Sequence, residues 1–96
     1  MTEILSIAIF EPLAESQEAA LATVRELGAA LEKGGYGRDS VYRDVKSGHY
    51  ILLRYWRSEE ARRAALEDPG VLRCWAKLAQ EIRTVSVMET LEQVGA

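Results

Sequence analysis

The segment from His49 to Arg57, His-Tyr-Ile-Leu-Leu-Arg-Tyr-Trp-Arg, constrains this chain more than any other part of it. Its β-branched and aromatic content reads as a strand, and a strand points successive residues to opposite faces of its sheet. Tyr50, Leu52 and Trp56 fall on one face, and Ile51, Leu53 and Tyr55 on the other. An antiparallel sheet with helices on a single face normally leaves a wet opposite face. Here neither face is wet, so both must be covered.

The flanking sequence supplies the elements. Ile4 to Phe10 is a short β-branched run stopped by Pro12, expected as a first strand buried on both faces. Ser16 is placed to cap a helix with Glu18 in its first turn, and Leu21, Val24, Leu27 and Leu31 recur at helical spacing. Gly34-Gly35 end that helix, and Gly28 inside it marks close packing against the sheet. Tyr36 to Val45 reads as a second strand, with Val41, Tyr42 and Val45 as its β-formers. The turn Lys46-Ser47-Gly48 joins it to His49–Arg57 as a hairpin.

Ser58-Glu59-Glu60 opens a second helix, which Asp68-Pro69 breaks and restarts, Asp68 as cap and Pro69 at the first helical position. Val71, Leu72, Trp75, Leu78, Ala79 and Ile82 give the restarted helix its apolar stripe. Thr84 to Leu91 then alternates, Val85, Val87 and Leu91 on one side and Ser86, Met88 and Thr90 on the other. This order predicts an α+β, ferredoxin-like βαββαβ fold, a four-stranded antiparallel sheet with helices on one face. At 96 residues a single domain spanning 1–96 is expected. The helix-free face, apolar at its third strand, is expected to be covered by a second copy, making a homodimer through the sheet.

Composition excludes several function classes. Twelve Lys and Arg against 15 Asp and Glu leave a net charge of −3, unsuited to a nucleic-acid or anionic-membrane surface. One cysteine, Cys74, and one histidine, His49, rule out an intrachain disulfide, a multi-cysteine metal site and a two-histidine metal site. Asparagine is absent. Met1-Thr2-Glu3 lacks a basic leader, and the first apolar run is too short to span a membrane. A cytoplasmic protein without a metal or cofactor is the expectation.

Three stretches carry a family resemblance: the glycine turn Gly34-Gly35-Tyr36, the step Tyr42-Arg43-Asp44, and above all Tyr50 to Ala61. In the last, an apolar strand ends in Trp56 and is followed by Arg57, Ser58, Glu59 and Glu60 at the start of a helix. The chain thereby resembles the antibiotic biosynthesis monooxygenase family of the dimeric α+β barrel superfamily, from its first strand to Leu91. The resemblance implies that the sheets of two protomers pack as a dimeric α+β barrel. It also implies a cofactor-independent monooxygenase of a small aromatic or quinol. The alternative is a non-catalytic dimeric module that binds a small hydrophobic ligand or has a structural or regulatory role. Haem-degrading members use an Asn on the first strand, a Trp on the second helix and an axial His. The matching helix positions here are Ala65 and Trp75, and there is no Asn, so the resemblance does not extend to haem degradation.

The substrate-pocket candidates are Trp56, Arg54, Tyr50, Tyr42 and Trp75. The aromatics, Tyr55 with them, would either line a flat pocket between sheet and helices or simply pack as core. Arg54 shares a face with Leu52 and Trp56, where a charge is costly unless paired. It would either bind an enolate or phenolate substrate or form an ion pair with Glu11, Asp44 or Glu89. His49 is expected as an exposed turn residue, although an imidazole suits general-base work near neutral pH. Cys74 is expected to be a small buried or half-buried residue without chemistry, and Arg62-Arg63 with Glu59-Glu60 a solvated helix face.

Overall fold

A computed structural model describes residues 3–95. Its elements run β1 (Ile4–Pro12), α1 (Gln17–Lys33), β2 (Gly37–Arg43), β3 (Tyr50–Trp56), α2 (Glu59–Ala65), α3 (Pro69–Ala79) and β4 (Ile82–Glu92). The strands form one antiparallel sheet in the order β2-β3-β1-β4. This is the ferredoxin-like arrangement that the element order predicts.

The stops and starts are local chemistry. Gly35 takes φ 72°, a left-handed conformation that glycine adopts without strain. Around it the Gly35 N–H donates to Glu32 O and the Tyr36 N–H to Leu31 O, so the last carbonyls of α1 are satisfied. Ser58 Oγ accepts from the Ala61 N–H at 3.0 Å and caps α2. Asp68 caps α3 through the Gly70 and Val71 N–H groups and also accepts from the Tyr36 hydroxyl at 2.8 Å. Ser16 holds the cap position of α1 but makes no side-chain cap bond.

One sheet face meets the helices. Ile4, Phe10, Leu52 and Trp56 are buried there against Ala20, Val24, Leu27 and Leu31 of α1, Ala65 of α2, and Val71 and Leu78 of α3. The opposite face carries Leu5, Ile7, Ile9, Ile51, Leu53 and Tyr55, all only half-buried. β1 is therefore not buried on both faces within one chain. Its odd-numbered residues share the helix-free face of the sheet, where no helix among the described residues packs on Leu5, Ile7 and Ile9.

β4 departs most from expectation. Ile82 begins it rather than ending the stripe of α3, and its pairing with β1 slips twice. Leu5 faces Leu91 but Ile7 faces Met88; Ile9 faces Ser86 but Phe10 faces Thr84. Each slip is a β-bulge that adds a residue to one strand and changes which face the following residues take. Val85, Val87 and Leu91 consequently do not share one side, because strict alternation holds only for an unbulged strand. No helix among the described residues is long and apolar enough to cross a membrane.

The Asp68 cap generates a pH prediction. The Tyr36 hydroxyl, followed by the Gly70 and Val71 N–H groups, lowers the Asp68 pKa below its ordinary value. The folded chain then binds fewer protons at Asp68 than the unfolded chain, so this stabilisation is present above the ordinary carboxylate range and fades as pH falls through it. Asp68→Asn keeps a capping side chain but lacks the charge. Its melting temperature should lie below that of the parent at neutral pH and converge with it in acid. Thermal melts of both proteins across pH check this; a gap independent of pH would remove the charge from the account.

Candidate functional site

The helix-facing side of β3 positions the candidate residues in one row. Tyr50, Leu52, Arg54 and Trp56 alternate along it, and their β1 partners in register are Phe10, Ala8, Ser6 and Ile4. At one end the Tyr50 ring stacks on Phe10 with centroids 5.7 Å apart, and its hydroxyl accepts from Gln17 Nε2 at 3.0 Å. At the other, Trp56 is 4% exposed. Trp75 of α3 packs half-buried against the same core. Tyr42 does not join them: it pairs with Ile51 on the helix-free face and is 59% exposed.

Arg54 is held by none of the three carboxylates expected from sequence. Its Nε and Nη2 donate to the two oxygens of Asp39, each at 2.7 Å, and both side chains are 8% exposed. The reason is register: Asp39 of β2 lies directly across from Arg54. Two of the expected partners, Glu11 and Asp44, are engaged elsewhere. The Glu11 carboxylate meets Arg83 at 2.6 Å and His49 Nε2 at 3.3 Å. Asp44 accepts from Lys46 N–H and Ser47 Oγ in the hairpin turn. Gly28 of α1 makes the room, since a Cβ there would come within 3.3 Å of Asp39 Oδ2. The Arg54 guanidinium also lies 5.7 Å from the Trp56 ring centroid, within cation–π range.

A second polar group on this face is absent from the sequence candidates. Ser6, the one polar residue in the run Ile4 to Phe10, accepts from Trp56 Nε1 at 2.8 Å and donates to the backbone oxygen of Glu89 at 2.5 Å. Glu89 and Thr90 are the bulged pair opposite Ser6, so this bond fastens the bulge. The strip around Ser6 is only partly roofed: Ser6 and Ala8 are half-buried, and Val87, across from Ala8, is 50% exposed. Across the sheet, by contrast, Leu52 is buried beneath the helices.

Arg62 of α2 borders the same end. It makes two bonds to Glu59, at 3.0 and 2.8 Å. These raise its pKa above the ordinary value; burial opposes them, and the charges of Glu59 and Glu89 add to them. The sequence reading of a solvated helix face holds for Arg63 but not for Arg62, which is mostly covered. His49 is less exposed than a turn residue is expected to be, because Glu11 holds it. Cys74 is half-buried. Among the described residues, no group of three or more His, Cys, Asp or Glu is placed to hold a metal ion.

Removing one member of the Arg54–Asp39 pair should reveal its role. Asp39→Ala leaves a buried guanidinium unmatched and is expected to cost about 3–5 kcal/mol, whereas an apolar replacement of both partners should lose far less. Urea unfolding of Asp39→Ala and of the double variant Asp39→Leu/Arg54→Met measures the difference. Equal losses in the two would contradict a matched buried pair.

No family model and no curated protein matches the sequence. Solved structures do match the fold. SnoaB of Streptomyces nogalater, a cofactor-independent oxygenase, superposes with a TM-score of 0.78 at 16% identity over 100% of both chains. A protein of Chloroflexus aurantiacus, named as a candidate antibiotic biosynthesis monooxygenase, gives a TM-score of 0.74 at 20% identity over 98% of this chain and 93% of its own. PA3566 of Pseudomonas aeruginosa gives 0.79 at 18% identity over 99% and 97%. These likenesses, with the topology above, show that the chain has the fold of the antibiotic biosynthesis monooxygenases.

Proposed function

We propose that this protein is a cofactor-independent monooxygenase of a small hydroxylated aromatic, working as a homodimer. The observation that carries the reading is the half-roofed strip at Ser6 and Trp56, where a hydrogen-bonded polar pair is set among apolar residues beside the Arg54–Asp39 ion pair. The likeness in fold to an oxygenase that needs no cofactor supports it. In such a reaction the substrate supplies the electrons. A phenol with a free para C–H and one O2 give the quinone and one water, one oxygen atom entering the ring and the other leaving as water. The protein's contribution is to hold the ring in a dry, oriented setting with Trp56 at its base and Trp75 and Tyr50 on the same side of the sheet.

The dimer follows from the helix-free face. Leu5, Ile7, Ile9, Ile51, Leu53 and Tyr55 form a contiguous apolar surface, with Met88 beside them on β4. Apolar patches of this kind on a small domain mark an interaction surface. A second sheet laid against this face completes the burial that the third strand's pattern demands. Static light scattering at micromolar concentration should give twice the chain mass; a monomer would remove the dimer from the reading.

The alternative of a non-catalytic module is favoured by one observation: the bidentate edge of Arg54, Nε and Nη2, is already matched to the Asp39 carboxylate rather than open to a phenolate. Oxygen uptake separates the two. With a panel of phenols and hydroquinones and no added cofactor, the enzyme should consume one O2 per quinone formed from a phenol; no uptake above the uncatalysed rate leaves the module.

Trp56 supplies a further check. Trp56→Ala removes a buried indole and should cost about 3–5 kcal/mol. Trp56→Phe should cost much less but leaves Ser6 without its donor. If the indole contributes to a ligand site, a hydroxyaromatic should raise the melting temperature of the parent more than that of Trp56→Phe. Equal shifts would make Trp56 core alone.

A further inference from the structure

The hydrogen-bond inventory at Ser6 points to a preference that the fold alone does not set. A serine hydroxyl has one proton to give and two lone pairs to accept with. The proton is committed, because the Glu89 backbone oxygen can only accept, at 2.5 Å. One lone pair is committed, because Trp56 Nε1–H can only donate, at 2.8 Å. What remains is a single lone pair on the hydroxyl of a half-buried residue, in a strip bordered by Ala8 and Val87 and, across the sheet, by Arg54. Neither neighbour can reverse its role, so the hydroxyl cannot turn to become a donor.

We infer that Ser6 is a specificity-determining residue that accepts a hydrogen bond from the hydroxyl of an aromatic ligand and discriminates against the corresponding carbonyl compound. This rests on the oxygenase reading of the same strip and names what that reading leaves open, the hydrogen-bonding class of the substrate. A phenol or hydroquinone brings the donor that Ser6 lacks. A quinone brings only acceptors, so its oxygen would face a lone pair, lose its bond to water and gain none in return. Oxidation of the ring thus removes the group that Ser6 holds, and the product leaves more readily than the substrate enters.

Trp56, Arg54 and Arg62 are the nearby groups that could bind an acceptor instead. Trp56 Nε1 is occupied by Ser6, and Arg54 and Arg62 each turn two N–H groups onto a carboxylate, Asp39 and Glu59. Ser6→Ala would free the indole N–H and turn the same strip from an acceptor into a donor. The variant is therefore expected to invert the preference rather than merely weaken binding.

The test is anaerobic calorimetry with 1,5-dihydroxynaphthalene and 1,5-dimethoxynaphthalene, which share a ring and differ in carrying or lacking the donor. The parent should bind the dihydroxy compound about three- to tenfold more tightly, the ratio that one neutral hydrogen bond supports. Ser6→Thr, which keeps the hydroxyl, should retain that ratio, and Ser6→Ala should bring it to one or below. Ser6→Thr keeps the inference open to refutation if Ser6→Ala fails to fold, since loss of the ratio in a folded Ser6→Thr would count against it. Equal binding of both compounds by the parent, or the same preference in Ser6→Ala, overturns the inference while leaving an aromatic site in place. Binding of neither compound removes the aromatic-site reading and the inference with it.

Discussion

The Arg54–Asp39 pair is the constraint on which the rest of the arrangement depends. A guanidinium on the helix side of a central strand is tolerable only if a carboxylate meets it with good geometry, and Asp39 does so with two bonds. Sliding β2 by one residue would send Asp39 to the other face and leave the charge alone in the core, a loss larger than most single defects cause. The pair thereby fixes the hairpin register. With it fixed, Gly37 stands against Trp56 and Tyr42 faces away from the helices. Gly28 shows that α1 has also adapted to the pair, giving up a side chain where the carboxylate sits.

A second set of bonds fixes the other half of the sheet. Trp56 on β3, Ser6 on β1 and the Glu89 carbonyl on β4 form a chain of hydrogen bonds across three adjacent strands. It ties the end of the most apolar strand to the bulge in the least buried one. Polar groups inside an apolar wall are tolerated because each is satisfied, and that same satisfaction leaves Ser6 able only to accept.

Much of this was legible in the residues. The element order, the Asp68-Pro69 restart, the Ser58 cap and the double-glycine stop after α1 are local signals, and local signals survive folding. The apolar character of both faces of His49–Arg57 was equally plain. The partner of Arg54 was not, because it depends on which β2 residue lies opposite, and that is settled by the closure of Asp44 N–H on His49 O at the turn. The face of Tyr42 follows from the same register. Ser6 was visible as the one polar residue in its run, but its partners lie 50 and 83 residues away. The bulges of β4 leave no mark in an alternating sequence, so Val85, Val87 and Leu91 looked like one side.

Those bulges have a bearing on how the chain keeps to itself. β4 is an edge strand carrying exposed Val85, Val87 and Met88, a β-branched and apolar stretch. A flat strand of that make-up offers a straight ladder of free amide and carbonyl groups to any passing chain, the geometry from which fibrils grow. Two interruptions within one strand break that ladder into short, differently aimed pieces. A chain with its sheet folded and its apolar face bare is thus a poor template for runaway strand addition.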